Sequence, residues 1–182
     1  RAACDFAWRG GRLVVASSGN VNTYEPKYPA AFDSVISVAS TNKSDVRSSF
    51  STYHGTVEVS APGGTSGGTN NDIYSLNKSG GYMWMAGTSM SAPQVTGGLG
   101  LWLAKHPIAT AARARFCLHQ RVDDKGSSGW DQYYGWGRLD LKKLVLCPAR
   151  GKKVLIDNTH SNLGRSSTDL KYSHLRGLSE DL

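Results

Sequence analysis

The sequence predicts an α/β fold, with a parallel sheet flanked by helices, and three patterns support this prediction. The run 13–16 is short and apolar and leads into a glycine turn, as strands buried on both faces of a parallel sheet do. Strands or strand approaches with turn signals follow at 28–40, 48–51 and 57–63. The stretch 94–105 is small and apolar over the length of a helix. A membrane-spanning segment is excluded, because no apolar run reaches about eighteen residues.

The first elements place an asparagine just beyond a strand. Ala2 to Gly10 has the pattern of the end of a helix that leads into the strand Leu13 to Ser17. Asn20 follows a glycine turn after this strand, where α/β folds position their functional groups. Its side-chain NH2 can donate a hydrogen bond to an oxyanion. Taken alone, the Gly-Asn pair favours a simple turn, so a functional role depends on the rest of the chain.

A serine lies where a second helix is about to begin. Segment 87–93 reads Gly-Thr-Ser-Met-Ser-Ala-Pro and runs into the apolar stretch 94–105. Pro93 suits a first helical turn, and the glycines at 97, 98 and 100 would let neighbouring elements approach the backbone closely. A helix that is apolar on nearly all sides is predicted to be buried. Its start would place Ser89 beside unpaired backbone N–H groups, which favour the negative charge that develops during acyl transfer.

These segments, in this order, resemble those of the subtilisin-like serine proteases (subtilases). The Ser89 segment resembles the nucleophile motif of that family. The strand before Asn20 resembles the one that ends in the oxyanion-hole asparagine. With Tyr133 to Asp140, the resemblance covers about Asp5 to Leu146 and corresponds to the carboxyl-terminal half of the catalytic domain. It implies a serine endopeptidase that hydrolyses peptide bonds through an acyl-enzyme on Ser89.

The same resemblance implies further features around the site. The primary specificity pocket would be lined by Ala16, Ser17, Ser18 and Gly19, and the neighbouring Tyr28–Pro29 bond would be cis. The implied substrate is a peptide or protein, and the implied location is secreted or extracellular. The chemistry requires no cofactor and no metal ligand is assigned. Members of the family often bind calcium through loop oxygens, and the carbonyls of 30–35 resemble one such place, to which we assign no ligand set.

The catalytic partners of Ser89 are not apparent in the chain. In subtilases the triad follows the chain order Asp, His, Ser, and both partners precede the oxyanion asparagine. The residues before Asn20 include Asp5 but no histidine. We therefore expect a fragment that is inactive alone and whose partner is the missing amino-terminal half. The alternative is a noncatalytic subtilase-like binding or scaffolding module whose parent has lost its Asp or His.

Two other segments imitate catalytic motifs. His54-Gly55-Thr56 imitates the family's histidine motif, but 56–60 alternates with period two and predicts a strand, so His54 is expected in a loop. A predicted strand from Lys153 ends at Asp157, yet Thr159 stands where the family's aspartate motif has glycine, so a permuted triad is the minor alternative. The remaining histidines lie in polar, helix-like stretches and are predicted to be solvated: His106, His119 and His174.

The chain divides near residue 147. Residues 1–147 are predicted to be the partial catalytic domain, and 148–152 a basic linker that contains proline and glycine. Residues 153–182 are predicted to begin a second, truncated α/β domain, with a strand, a polar loop and a helix with leucines on one face. The sequence does not indicate a function for this last part.

The net charge and the cysteines of the chain do not indicate a further function. The net charge of +7 does not indicate a nucleic-acid partner, because the basic clusters lack interleaved aromatic residues and suit a solvated helix face and a linker. The three cysteines, Cys4, Cys117 and Cys147, have no metal-type spacing. Cys117 and Cys147 either pair in an exported protein or remain buried thiols, and Cys4 could pair with the missing half.

Overall fold

The computed structural model describes residues 1–149 and has the predicted α/β architecture. Its elements in chain order are α1 (Ala2–Arg9), β1 (Val14–Ser17), β2 (Val35–Thr41), β3 (Val59–Pro62), β4 (Ile73–Leu76), β5 (Tyr82–Met85), α2 (Thr88–Lys105), α3 (Ala111–Gln120), β6 (Val122–Asp123), β7 (Arg138–Leu139) and α4 (Leu141–Val145). Residues 150–182, which include Asp157, His174 and the predicted second α/β unit, lie outside the described residues.

The main sheet has the strand order β1-β2-β3-β7-β6. Strands β1, β2, β3 and β7 are parallel, and β6 is antiparallel to β7. The parallel register pairs Val14 with Val35 and Val38 with Val59. Strands β4 and β5 form a separate antiparallel hairpin between β3 and α2. The carboxyl ends of β1 and β3 therefore lie at the same edge of the sheet, and α2 begins near this edge.

The core lies between the sheet and α2. Strand β2 is buried over its whole length, as expected for a parallel strand covered on both faces. Helix α2 contributes Val95, Leu99 and Trp102, which recur at helical spacing and pack on β2 and β3. The indole nitrogen of Trp102 donates to the carbonyl of Cys147 (2.8 Å), which holds the segment after α4 against α2. Within residues 1–149, no helix is long and apolar enough to cross a membrane.

Helix α2 differs from its predicted form in three respects. It begins at Thr88, so Pro93 lies in the second turn and not in the first. Its burial is one-sided, because the sheet covers one face and Leu101 on another face is 55% exposed. Of its three glycines, only Gly98 has a close neighbour: a β-carbon there would lie 3.1 Å from Cδ1 of Leu141, whereas positions 97 and 100 have open space around them.

The start of β3 also corrects the prediction. The alternating pattern from Thr56 predicted a strand over 56–60, but β3 begins at Val59. Before it, the N–H of Val57 donates to the carbonyl of His54 (3.0 Å) and closes a turn at positions 55 and 56. His54 itself lies in a loop, as predicted.

The cysteines settle an alternative that the sequence left open. Cys117 of α3 and Cys147 after α4 form a disulfide across a sequence separation of 30 residues. Both are buried, so the bond joins α3 to the end of the described chain within the core. Cys4 is a free, half-buried thiol in α1.

Candidate active site

The start of α2 contacts the end of β3 through two glycines. Gly87 has a φ of 149°, a conformation that favours glycine, and its N–H donates to the carbonyl of Gly63 (2.8 Å). A β-carbon on Gly63 would lie 2.4 Å from Oγ of Ser91, so the strand can approach the helix only without a side chain there. Ser89 is the second residue of α2 and is exposed. The packing thus presents its hydroxyl to solvent from a helix start.

The side chain of Asn20 reaches the same helix start from the end of β1. Its Oδ1 accepts hydrogen bonds from the backbone N–H of Thr88 (2.9 Å) and from the Thr88 hydroxyl (2.8 Å). Both of these hydrogen bonds go to the oxygen of the Asn20 carboxamide, and the NH2 group lies on the opposite side of the carboxamide. The Nδ2 atom of Asn20 lies next to Gly87, 3.2 Å from the position that a β-carbon there would occupy. Gly87 and Thr88 directly precede Ser89 in the chain. The predicted Asn20 and Ser89 are therefore brought together across 69 residues of sequence.

Thr88 is a component of this arrangement that the sequence reasoning missed. Its side chain is fully buried, and its hydroxyl donates to Asn20 Oδ1 while accepting the N–H of Gly19 (3.2 Å). One hydroxyl thus fixes the amide and the turn that carries it. The available signal was a threonine placed between the glycine and the serine of the 87–93 segment. Its role requires a partner 68 residues away, which no local pattern reveals.

The four residues predicted to line a pocket occupy the end of β1 and the following turn. Ala16 and Ser17 pair with β2. Ser18 is buried, its N–H donates to the Val38 carbonyl (2.9 Å), and its hydroxyl donates to the Thr52 carbonyl (3.1 Å). The Gly19 carbonyl accepts the N–H of Thr52 (2.8 Å). The segment is thus held at the sheet edge next to Asn20.

The segment before β2 follows the predicted turn. The Tyr28–Pro29 peptide bond is cis, as predicted. The carbonyls of Asp33 and Val35, in the region that resembles a cation site of the family, accept hydrogen bonds from the guanidinium of Arg115 (2.9 and 3.4 Å). Two of the candidate oxygens are therefore directed at a cation that belongs to the chain itself.

Arg115 belongs to a buried ionic cluster that the sequence reasoning did not anticipate. Its guanidinium binds both carboxylate oxygens of Glu58 (2.6 and 2.5 Å), and the side chains are 2% and 1% exposed. Burial raises the pKa of the Glu58 carboxyl, but the charges and hydrogen bonds of Arg115 and His119 outweigh it, so this pKa lies well below its ordinary value. Glu58 is therefore a buried carboxylate held in its ionised form.

The described histidines do not follow a single pattern. His119 was predicted to be solvated, but it is buried, and its ring contacts the carboxylate of Glu58, the residue before β3. His106 is half-buried and stacks on Trp102 at 4.6 Å between ring centroids, so it is not simply solvated either. It follows the far end of α2, about 25 Å from Ser89 at about 1.5 Å per residue. His54 packs against the ring of Tyr24.

Asp5, the acid that precedes Asn20, is engaged elsewhere. Its carboxylate accepts the hydroxyl of Ser34 (2.7 Å) and pairs with Arg1 (3.4 Å), and the Ser34 bond is the main cause of its lowered pKa. These contacts assign Asp5 to the packing of α1 against the segment before β2.

Comparisons with known proteins identify the family of this chain. A family model described as the Subtilase family matches residues 2–137. The chain is 38% identical over 143 residues to thermitase of Thermoactinomyces vulgaris, a match covering 79% of this chain and 47% of thermitase. It is 36% identical over 135 residues to a halolysin-like extracellular serine protease of Natrialba magadii, covering 74% of this chain and 23% of that protein.

The fold also matches that of a solved structure. A crystal structure of a lanthipeptide protease superposes with a TM-score of 0.71 at 26% identity, covering 79% of this chain and 53% of that one. The chain thus spans about half the length of thermitase and of this structure. The matched region contains β1, the Asn20 turn and the start of α2. The chain belongs to the subtilase family.

Proposed function

We propose that this chain is part of a serine endopeptidase in which Ser89 is the nucleophile and Asn20 an oxyanion donor. The observation that carries the proposal is the anchoring of the Asn20 amide oxygen by both donors of Thr88, beside Ser89. A donor must already be in place when charge develops, because a group that first has to reorient stabilises the transition state less. Two hydrogen bonds on one oxygen supply this preorganisation.

The acyl-transfer step follows from these positions. Ser89 Oγ forms a bond to the carbonyl carbon of the scissile peptide while a general base takes the hydroxyl proton. The carbonyl oxygen becomes an anion and accepts hydrogen bonds from the Ser89 N–H and the Asn20 NH2. When the C–N bond breaks, the proton passes to the leaving amine. Water then hydrolyses the ester and restores the Ser89 hydroxyl.

The general base and its orienting carboxylate are proposed to come from the amino-terminal half of the catalytic domain. Family chain order places both before Asn20, and Asp5 is engaged with Ser34 and Arg1. The isolated chain is therefore proposed to be inactive. No cofactor is needed for the proposed chemistry, and any structural calcium would be held elsewhere than by the two carbonyls that Arg115 binds.

The proposed substrate is a polypeptide whose side chain enters a pocket lined by Ala16, Ser17, Ser18 and Gly19. The proposed location is outside the cell. One of the matched relatives is named as extracellular, and the Cys117–Cys147 disulfide suits an oxidising compartment.

Hydrolysis of a peptide library by the complete protein tests the proposal. Ser89→Ala should abolish turnover, while Ser44→Ala, at an exposed serine in the turn after β2, should leave it unchanged. The isolated chain should be inactive and should recover activity when mixed with the amino-terminal half. Binding of peptides without any hydrolysis by the complete protein would contradict the proposal and favour a noncatalytic scaffold.

A further inference from the structure

The side chain of Lys27 lies against Gly19, one of the four residues predicted to line the pocket. Gly19 has a φ of 113°, and a β-carbon on it would lie 3.1 Å from Cγ of Lys27 and 2.9 Å from Oγ1 of Thr52. The stem of Lys27 thus covers the surface of Gly19 from which a side chain would project. Thr52 is buried and uncharged, so Lys27 is the charged one of these two neighbours of Gly19.

The backbone of Lys27 is fixed while its charged end is accessible. Its carbonyl accepts the N–H of Ala31 (2.8 Å), which closes the turn containing the cis Tyr28–Pro29 bond. The ammonium pairs with the carboxylate of Glu25 (2.8 Å), but these two side chains are 39% and 62% exposed. A pair this exposed is weak, because water screens it and both side chains lose rotamer freedom. A carboxylate entering the pocket can therefore compete with Glu25.

We propose that Lys27 is a specificity-determining residue that makes the primary pocket favour an acidic side chain, Asp or Glu, at the substrate position before the scissile bond. This inference rests on the proposed function and on the assignment of Gly19 to the pocket. The methylene stem would contact the substrate's aliphatic carbons and the ammonium its carboxylate. Glu25 limits the preference, since it must be displaced or share the ammonium.

The test compares two peptides that differ only in Glu or Gln at this position, hydrolysed by the complete protein. The kcat/KM ratio, Glu over Gln, should be about fivefold, the free energy of a good exposed ion pair converted to a rate ratio. In Lys27→Met, which keeps the stem and removes the charge, the ratio should fall to about one. In Glu25→Gln, which removes the competitor, it should rise. Because each ratio is internal to one variant, a general loss of activity cancels.

Two controls separate charge from structure. Lys43→Met, at an exposed lysine in the turn after β2, should leave the ratio unchanged. For the unmodified protein, the ratio should decline toward one as salt is raised, because exposed charge pairs are screened. A ratio near one in the unmodified protein, or one that Lys27→Met leaves unchanged, would overturn the inference while the endopeptidase function stands. Failure to hydrolyse any peptide would instead overturn the proposed function, and this inference with it.

Discussion

Replacing Thr88 by valine in the complete protein isolates the hydroxyl that joins Asn20 to the Gly19 turn. Valine keeps the shape but removes the bonds to Asn20 Oδ1 (2.8 Å) and from the Gly19 N–H (3.2 Å). Losing one partner of a buried hydrogen bond costs about 1–3 kcal/mol in stability. Asn20 keeps its second anchor, the Thr88 backbone N–H, so its NH2 becomes less well aimed but is not lost.

The expected kinetic effect follows from that partial loss. Removing a whole oxyanion donor lowers kcat about 100- to 1000-fold, a magnitude measured in a subtilisin, and Asn20→Leu should have an effect of that size. Thr88→Val should lower kcat about tenfold with little change in KM, because the bond to the oxyanion forms mainly in the transition state. Thr88→Ser keeps the hydroxyl and should recover most of the loss.

Initial-rate kinetics on a peptide with a neutral side chain before the scissile bond measures kcat and KM, and thermal unfolding monitors the fold. The double variant Thr88→Val, Asn20→Leu supplies the decisive comparison. If Thr88 acts through Asn20, the double variant is no slower than Asn20→Leu alone. If the two substitutions instead lower kcat independently, so that their effects multiply in the double variant, the positioning role of Thr88 is refuted. Near-normal turnover of Asn20→Gly, which preserves a turn but no donor, would refute the oxyanion role itself.

Three further predictions concern the framework of the complete protein. Removing the Cys117–Cys147 disulfide by a double alanine substitution should lower the free energy of unfolding by about 3–4 kcal/mol, from the chain entropy of a loop of this length, and an unchanged denaturation midpoint would contradict this. Glu58→Gln should destabilise by about 3–5 kcal/mol, because the buried Arg115 charge loses its counterion, and adding Arg115→Met should restore part of the loss. Since the folded-state pKa of Glu58 lies below its ordinary value of 4.5, its carboxylate stabilises the protein fully above about that pH and progressively less as the pH falls toward the folded value. The free energy of unfolding should therefore fall less steeply below pH 4.5 in the Glu58→Gln, Arg115→Met variant than in the unmodified protein. An identical dependence on pH in the two proteins would contradict this role of the cluster.

The elements that lead to the candidate site could be predicted because their signals are local. The apolar run before Gly19 predicts a buried parallel strand, and the structure has the parallel strand β1 there with Asn20 just beyond its end. Its burial was predicted wrongly: β1 lies at the edge of the described sheet, so its four residues are only partly buried. Helix α2 was predicted in this part of the chain from the small, apolar residues after Pro93, but it begins at Thr88, earlier than predicted. The cis form of the Tyr28–Pro29 bond was predicted from the family resemblance alone, since spacing and composition do not reveal the isomer.

Two of the features that were missed depend on partners distant in sequence. His119 has the local pattern of a solvated helix residue, but it is buried against Glu58, 61 residues earlier, and stacks on Trp136. The anchoring role of Thr88 is equally nonlocal. The β4–β5 hairpin was not predicted, and its Tyr74 and Tyr82 rings stack on an exposed face instead of entering the core. A strand pattern is recognised by a buried face, so a hairpin with apolar residues exposed is difficult to identify.

Ser89 is proposed to be an activated nucleophile only when the complete catalytic domain surrounds it. Mass-spectrometric mapping of a fluorophosphonate adduct tests this most directly, because the probe labels a serine whose hydroxyl a base has activated. The complete protein should be labelled rapidly at Ser89, and the isolated chain no faster than a denatured control. Labelling of the complete protein at another residue, or rapid labelling of Ser89 in the isolated chain, would contradict this role of Ser89.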